Sequence, residues 1–202
     1  MYQLYSFPYS PHSRRVVSLL EQAGIAYENH MVPMMEGGHM TDEYLRINPN
    51  HQVPTLIDGA IRIHESNAIL RYLCVRHELA DWYPVSGEGF ALCEQWLDWN
   101  QCQLAKLMVD IVLNRVFLGE HGNLQAADAA EELIRPKFDV MEDHLNGRAF
   151  FAGSKPTIAD LSLASNMFQL NFAQLMPQTP NILRWYQTIA ELPGFQKSLP
   201  QV

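Results

Sequence analysis

Over roughly the first eighty residues, short β-prone runs alternate with stretches whose apolar positions recur at helical spacing. Tyr2–Ser6 is a β-prone run ended by Phe7-Pro8. Val16, Leu19, Leu20 and Ala23 then fall at i, i+3, i+4 and i+7, which predicts an amphipathic helix stopped by Gly24. Residues 25–32 read as a second strand closed by Pro33. A loop follows at Glu36-Gly37-Gly38, then a short helix over 42–47 that stops near Pro49. Residues 55–57 and 60–63 flank Asp58-Gly59, a dipeptide that tolerates the positive φ of a tight hairpin. Ser66 is placed to cap a helix running to about residue 77, with Ile69, Leu70 and Leu73 on one face. The predicted order is β-α-β-α-β-β-α, a small α/β domain.

The pattern changes over residues 80–89, where Trp82-Tyr83-Pro84 and Ser86-Gly87 read as a linker. Everything after it has helical periodicity. Residues 90–118 carry Leu92, Trp96, Trp99, Leu104, Leu107, Ile111 and Val112, and Gly119 to Gly122 break the run. A second long helix is predicted over 126–145, with Gly147 as a C′ cap. Thr157-Ile158-Ala159-Asp160 is a capping-box variant that opens an apolar helix to about Leu170, and Pro180 and Pro193 bound a last helix over 181–192. The expected organisation is α/β plus all-α: a first domain over 1–79, a linker over 80–88 and an all-helical domain over 89–202.

Composition narrows the function. The chain has 202 residues, is 48% hydrophobic and carries a formal charge of −8. That is enough apolar material for a sizeable core, and the acidic balance repels nucleic-acid phosphates and anionic membrane surfaces. Cys74, Cys93 and Cys102 form no CxxC and lie among apolar or helix-forming neighbours, so buried reduced thiols are expected. No basic-then-apolar leader and no membrane-length apolar run is present, which points to the cytoplasm. The eight histidines make no HExxH or zinc spacing, and Walker, GxGxxG and GxSxG motifs are missing, so no metal is expected. Glu131-Glu132 and Glu142-Asp143 read as solvated helix faces, and Met34-Met35 and Met167 as core or loop filler.

Three short segments carry candidate chemistry. In Pro8-Tyr9-Ser10-Pro11-His12-Ser13-Arg14-Arg15, Ser10 is a good N-cap and Pro11 suits the first helical position. Capping alone accounts for that pattern. The same helix tip, with its unpaired N–H groups, partial positive charge and a hydroxyl donor, would also stabilise a bound thiolate. In Asn50-His51-Gln52-Val53-Pro54-Thr55-Leu56 the proline precedes a strand and marks a turn or bulge; were Val53–Pro54 cis, the Val53 backbone would be open to an extended peptide-like ligand. Glu65-Ser66-Asn67 reads either as a plain helix start or as a zwitterion site, with Ser66 and the helix tip on a carboxylate and Glu65 on an ammonium.

In this order the segments resemble the cytosolic glutathione S-transferases, whose thioredoxin-like domain precedes an all-helical one. Ser10-Pro11-His12-Ser13 occupies the place of the thioredoxin CxxC, and a serine there is similar to the theta and delta classes. Gly38-His39-Met40, Asn48-Pro49, Val53-Pro54-Thr55-Leu56, Glu65-Ser66, Trp82-Tyr83-Pro84, Phe117-Leu118-Gly119-Glu120, the Thr157 box and Pro193-Gly194-Phe195 extend the resemblance over essentially the whole chain. It implies that Ser10 stabilises the glutathione thiolate and that Val53, beside a cis Pro54, pairs with the cysteinyl unit. Glu65 and Ser66 would hold the γ-glutamyl end, and His39 and His51 the glycyl carboxylate. Theta members often carry lysines where this chain has His51-Gln52, which weakens that last contact. A small hydrophobic electrophile would meet Tyr9, Leu107, Met108, Ile111 and Arg115, under less cover than in theta members with longer tails. The resemblance also implies a homodimer. A glutathione-dependent disulfide reductase or peroxidase, and a non-catalytic transferase-like interaction module, remain the alternatives.

Overall fold

The computed structural model describes residues 1–200 and divides into two compact units. The first comprises Met1–Leu79 together with the segment from Glu191 onward. Its sheet has strands β1 (Tyr2–Ser6), β2 (Tyr27–Met31), β3 (Thr55–Asp58) and β4 (Ile61–His64) in the order β2-β1-β3-β4. β1 and β2 are parallel, while β3 runs antiparallel to both β1 and β4. Helices α1 (Pro11–Gln22), α2 (Asp42–Leu45) and α3 (Ser66–Arg76) complete the predicted β-α-β-α-β-β-α order. Leu4, Leu56, Val16, Leu19, Leu20, Ile69, Leu70 and Leu73 are fully buried, the apolar faces that the helical and strand periods mark out.

The second unit, Ala80–Ala190, is helical. It holds α4 (Gly87–Trp99), α5 (Lys106–Val112), α6 (Leu124–Leu145), α7 (Ile158–Asn171) and α8 (Pro180–Ala190). Wide π turns at Asn100–Ala105 and Leu113–Phe117 interrupt the helix expected over 90–118. The predicted capping box forms: Asp160 accepts from Thr157 N at 2.8 Å, and its other oxygen takes Phe151 N at 3.0 Å and Trp185 Nε1 at 2.9 Å. α7 is buried nearly all round, with Asn100 Nδ2 donating to Ser162 and Asn166 Nδ2 donating back to Asn100 Oδ1.

Several expectations need correction. The tail does not stay with the helical domain: α9 (Pro193–Lys197) packs on α1 in the first unit. Gly194 permits the close approach, since a Cβ there would come within 2.5 Å of Ser18 O, and Gly194 N donates to Gln22 Oε1. Segment 80–88 is not a free linker, because Trp82 O accepts from Ile158 N and Asp81 pairs with Lys155. Glu142 is no solvated face; it caps α8, accepting from Asn181 N and Ile182 N. Glu131 pairs with both Arg115 and Arg135. Cys74 and Cys93 are buried, whereas Cys102 is exposed on the first π turn. Met34 packs against the cluster of Val32, Tyr44 and Val53, Met35 is exposed, and Met167 is fully buried. No helix among the described residues is long and apolar enough to cross a membrane.

Candidate functional site

The sheet brings the candidate segments to one end. Parallel pairing sets Ser6 opposite Met31, so the α1 and His39 loops leave side by side. Antiparallel pairing then sets Tyr5 opposite Thr55 and Thr55 opposite His64. Neighbouring strands are about 4.8 Å apart, so the segments of Ser10, Val53-Pro54 and Glu65 arise from three adjacent strand ends.

Ser10 is the N-cap of α1, with φ −83° and ψ 121°. Its Oγ accepts from Ser13 N at 3.3 Å, and Ser13 Oγ in turn accepts from Phe7 N at 3.2 Å. Among the described residues the Ser10 hydroxyl proton has no acceptor, so the group is held as an acceptor and left able to donate. His12 lies in the same turn and is kept neutral: burial first, and the charge of Arg15 second, push it down to about 3. Arg15 Nη1 donates to Asn67 Oδ1 at 3.3 Å, tying the start of α1 to the start of α3.

The Val53–Pro54 bond is cis, and both residues are buried. The peptide before it is clamped by residues that the sequence reading had not singled out as a site. Gln52 O accepts from Tyr44 Oη at 2.6 Å and from Asn48 Nδ2 at 2.8 Å. Asn48 also donates to Thr55 Oγ1 at 3.1 Å and accepts from Asn50 N at 3.0 Å. Asn48-Pro49 was visible as a motif, but its hydrogen bonds join residues whose proximity only the folded loop creates.

At α3 the cap is Glu65 rather than Ser66. Glu65 has φ 68° and ψ 107°, a conformation that strains a non-glycine residue, and Ile69 N donates to its carbonyl. Ser66 becomes the first helical residue, 5% exposed, at an N-terminal turn whose leading N–H groups have no intrahelical partner. The Glu65 carboxylate stays exposed, 3.9 Å from His64 Nδ1. His39 sits on a 3-10 turn, Gly38–Met40, and His51 adopts φ 57°. Each has a buried Nδ1 with no hydrogen-bond partner among the described residues. Such orphaned polar atoms suit an incoming anionic or polar ligand group.

The electrophile candidates divide. Tyr9 is 37% exposed, with its ring 5.7 Å from that of Phe7. Leu107 is partly exposed. Met108 and Ile111 are fully buried in the helical core and present no surface here. Arg115 is committed to ion pairs with Asp128 at 2.6 Å and with Glu131, which removes it as a free lining residue. Among the described residues no three His, Cys, Asp or Glu side chains gather as a metal would require.

Residues 4–81 match the family glutathione S-transferase, N-terminal domain, and residues 104–193 match glutathione S-transferase, C-terminal domain. The chain is 31% identical to glutathione S-transferase 2 of Anopheles gambiae, over 98% of this chain and 95% of the relative. It is 34% identical to glutathione S-transferase T1 of Arabidopsis thaliana, over 83% of this chain and 72% of the relative. In fold it is similar to human glutathione transferase theta-2, solved in complex with glutathione, with a TM-score of 0.89, 24% identity and coverage of 98% of this chain and 86% of the other.

Proposed function

The chain belongs to the glutathione S-transferase family, and we propose that it joins the glutathione thiolate to a small electrophilic carbon with Ser10 stabilising the sulfur. The observation that carries this reading is the α1 tip, where Ser13 N–H fixes Ser10 Oγ and leaves its proton free to donate. A free thiol titrates near 8.5, so most of it is protonated at neutral pH, and each unit of depression is worth about 1.4 kcal/mol. One hydroxyl donor at a helix N-terminus supplies such a shift through a charge-assisted hydrogen bond and the local dipole.

The rest of the site orients the tripeptide. Val53 supplies backbone hydrogen bonds to the cysteinyl unit, beside Pro54. Ser66 and the first turn of α3 take the γ-glutamyl carboxylate, and Glu65 takes its ammonium. His39 and His51 take the glycyl carboxylate, which would satisfy their unpaired ring nitrogens. Ionisation releases the thiol proton to solvent. The sulfur lone pair then forms the C–S bond while the leaving group departs with its electron pair. Tyr9, exposed beside Phe7, is the apolar surface nearest Ser10 in sequence on which the hydrophobic electrophile would rest. The same reading takes a homodimer as the working state, checked by light scattering, and the cytoplasm as its place.

The decisive experiment follows thiolate absorbance of bound glutathione against pH in wild type and Ser10→Ala. The expected result is a depressed thiol pKa that rises by one to two units, roughly 1.4–2.7 kcal/mol, in the variant. Binding with an undepressed thiol in the wild type would remove Ser10 chemistry.

A further inference from the structure

The ring of Tyr44 is buried in a cluster with Val32 and Val53, against Tyr5, Phe7, Met34 and Ile47. A phenylalanine would satisfy that packing equally well. The hydroxyl is therefore an addition, and a buried hydroxyl is unfavourable unless it is paired. Beside a longer contact of 3.4 Å with Thr55 Oγ1, its closest partner is a backbone carbonyl, Gln52 O, at 2.6 Å. That oxygen also accepts from Asn48 Nδ2 at 2.8 Å, and Asn48 is itself only 1% exposed. Two donors occupy both lone-pair directions of one carbonyl, which fixes where it points. The Gln52–Val53 peptide is planar and trans, so the Val53 N–H lies antiparallel to that C=O. Holding the Gln52 oxygen thus aims the Val53 N–H.

We propose that Tyr44 is a positioning residue, whose hydroxyl acts with Asn48 to aim the Val53 N–H at the cysteinyl carbonyl of glutathione and so to set the thiol against Ser10. The inference rests on the glutathione reading above and deepens it by assigning a role to side chains that need not touch the ligand. Burial raises the Tyr44 phenol above its ordinary value, so it remains a donor throughout the neutral range in which the thiol is measured.

Tyr44→Phe keeps the ring and removes one donor. Calorimetric titration with glutathione is expected to show a dissociation constant roughly three- to tenfold higher, the loss of a single well-placed hydrogen bond. At saturating glutathione, the bound thiol pKa should rise part of the way toward that of the free thiol, because the sulfur is no longer held in line. The melting temperature should stay near that of the wild type. A hydroxyl with a merely structural role would lower the melting temperature and leave the bound thiol pKa unmoved, and that outcome overturns the proposal. Asn48→Ala removes the second donor and should shift both quantities further in the same direction; if it does not fold, Tyr44→Phe decides alone. The wild-type titration separates the two levels. No glutathione binding there overturns the reading and the inference together, whereas wild-type binding with an unchanged Tyr44→Phe overturns the inference only.

Discussion

His12 shows how one half-buried side chain near the α1 tip makes stability sensitive to acid. In the native chain burial, aided by Arg15, pushes its imidazole down to about 3, while an unfolded histidine titrates near 6.5. With the folded value the lower of the two, the unfolded chain binds the proton first. The contribution to stability is therefore complete above about pH 6.5 and is lost as pH falls toward 3, at up to about 1.4 kcal/mol per unit. Melting temperatures taken from pH 7 to pH 4.5 should fall steeply for wild type and less steeply for His12→Gln; parallel curves would refute the assignment. At this scale the sequence was legible where one residue's chemistry sufficed: Ser10 caps α1 as its type and the following Pro11 predict. It was not legible at α3, where Glu65 rather than Ser66 holds the cap position, because φ 68° is imposed on a non-glycine residue by the surrounding fold and no side-chain preference announces it.

Elements were readable in proportion to how far their causes lie within one turn. The capping box at α7 is a local pattern, and both of its hydrogen bonds form as expected. The π turns after α4 and α5 have no such signature. The first is bound up with Asn100, whose amide bridges to Ser162 and Asn166 on a helix some sixty residues later in the chain. Glu142 is the clearest failure, since a carboxylate on a mid-helix polar face resembles any solvated residue until α8 is brought against it. Burial pushes this carboxyl up, but hydrogen bonds from Asn181 and Ile182 outweigh that effect and hold it below its ordinary value. Its contribution is present above the unfolded pKa and disappears as pH falls through the folded one. Glu142→Gln should cost about 1 kcal/mol at pH 7, as loss of a helix cap does, or roughly 2–4 °C in melting temperature. The gap between the two proteins should close in acid, where the wild-type carboxyl is protonated too. A gap that persists unchanged at acid pH would mean that shape, not charge, does the capping.

At the scale of the molecule, reading the sequence from one end to the other assigned the tail to the wrong unit. Helical periodicity continues through residue 192, and nothing in that pattern says which surface the final helix covers. The returning segment packs on α1 through Gly194, the buried Phe195 and a Ser18–Ser198 hydrogen bond of 2.8 Å, with Lys197 reaching Glu21 at 3.1 Å. α1 is the helix that Ser10 caps, so this segment buttresses the element that presents the proposed catalytic hydroxyl. Loss of a buried phenylalanine alone typically costs about 3–5 kcal/mol, and the hydrogen bonds add to it. A chain ending at Ala190 should therefore melt roughly 10 °C or more below wild type, by the usual scaling for a protein of this length. It should also bind glutathione more weakly at temperatures where it remains folded, because α1 is then supported from one side fewer. Phe195→Ala in the 202-residue chain should reproduce most of the thermal loss without removing the backbone. Were the truncated chain to keep both its melting temperature and its glutathione affinity, α1 would be fixed by the sheet and α3 alone, and the tail would be a passenger on the first unit.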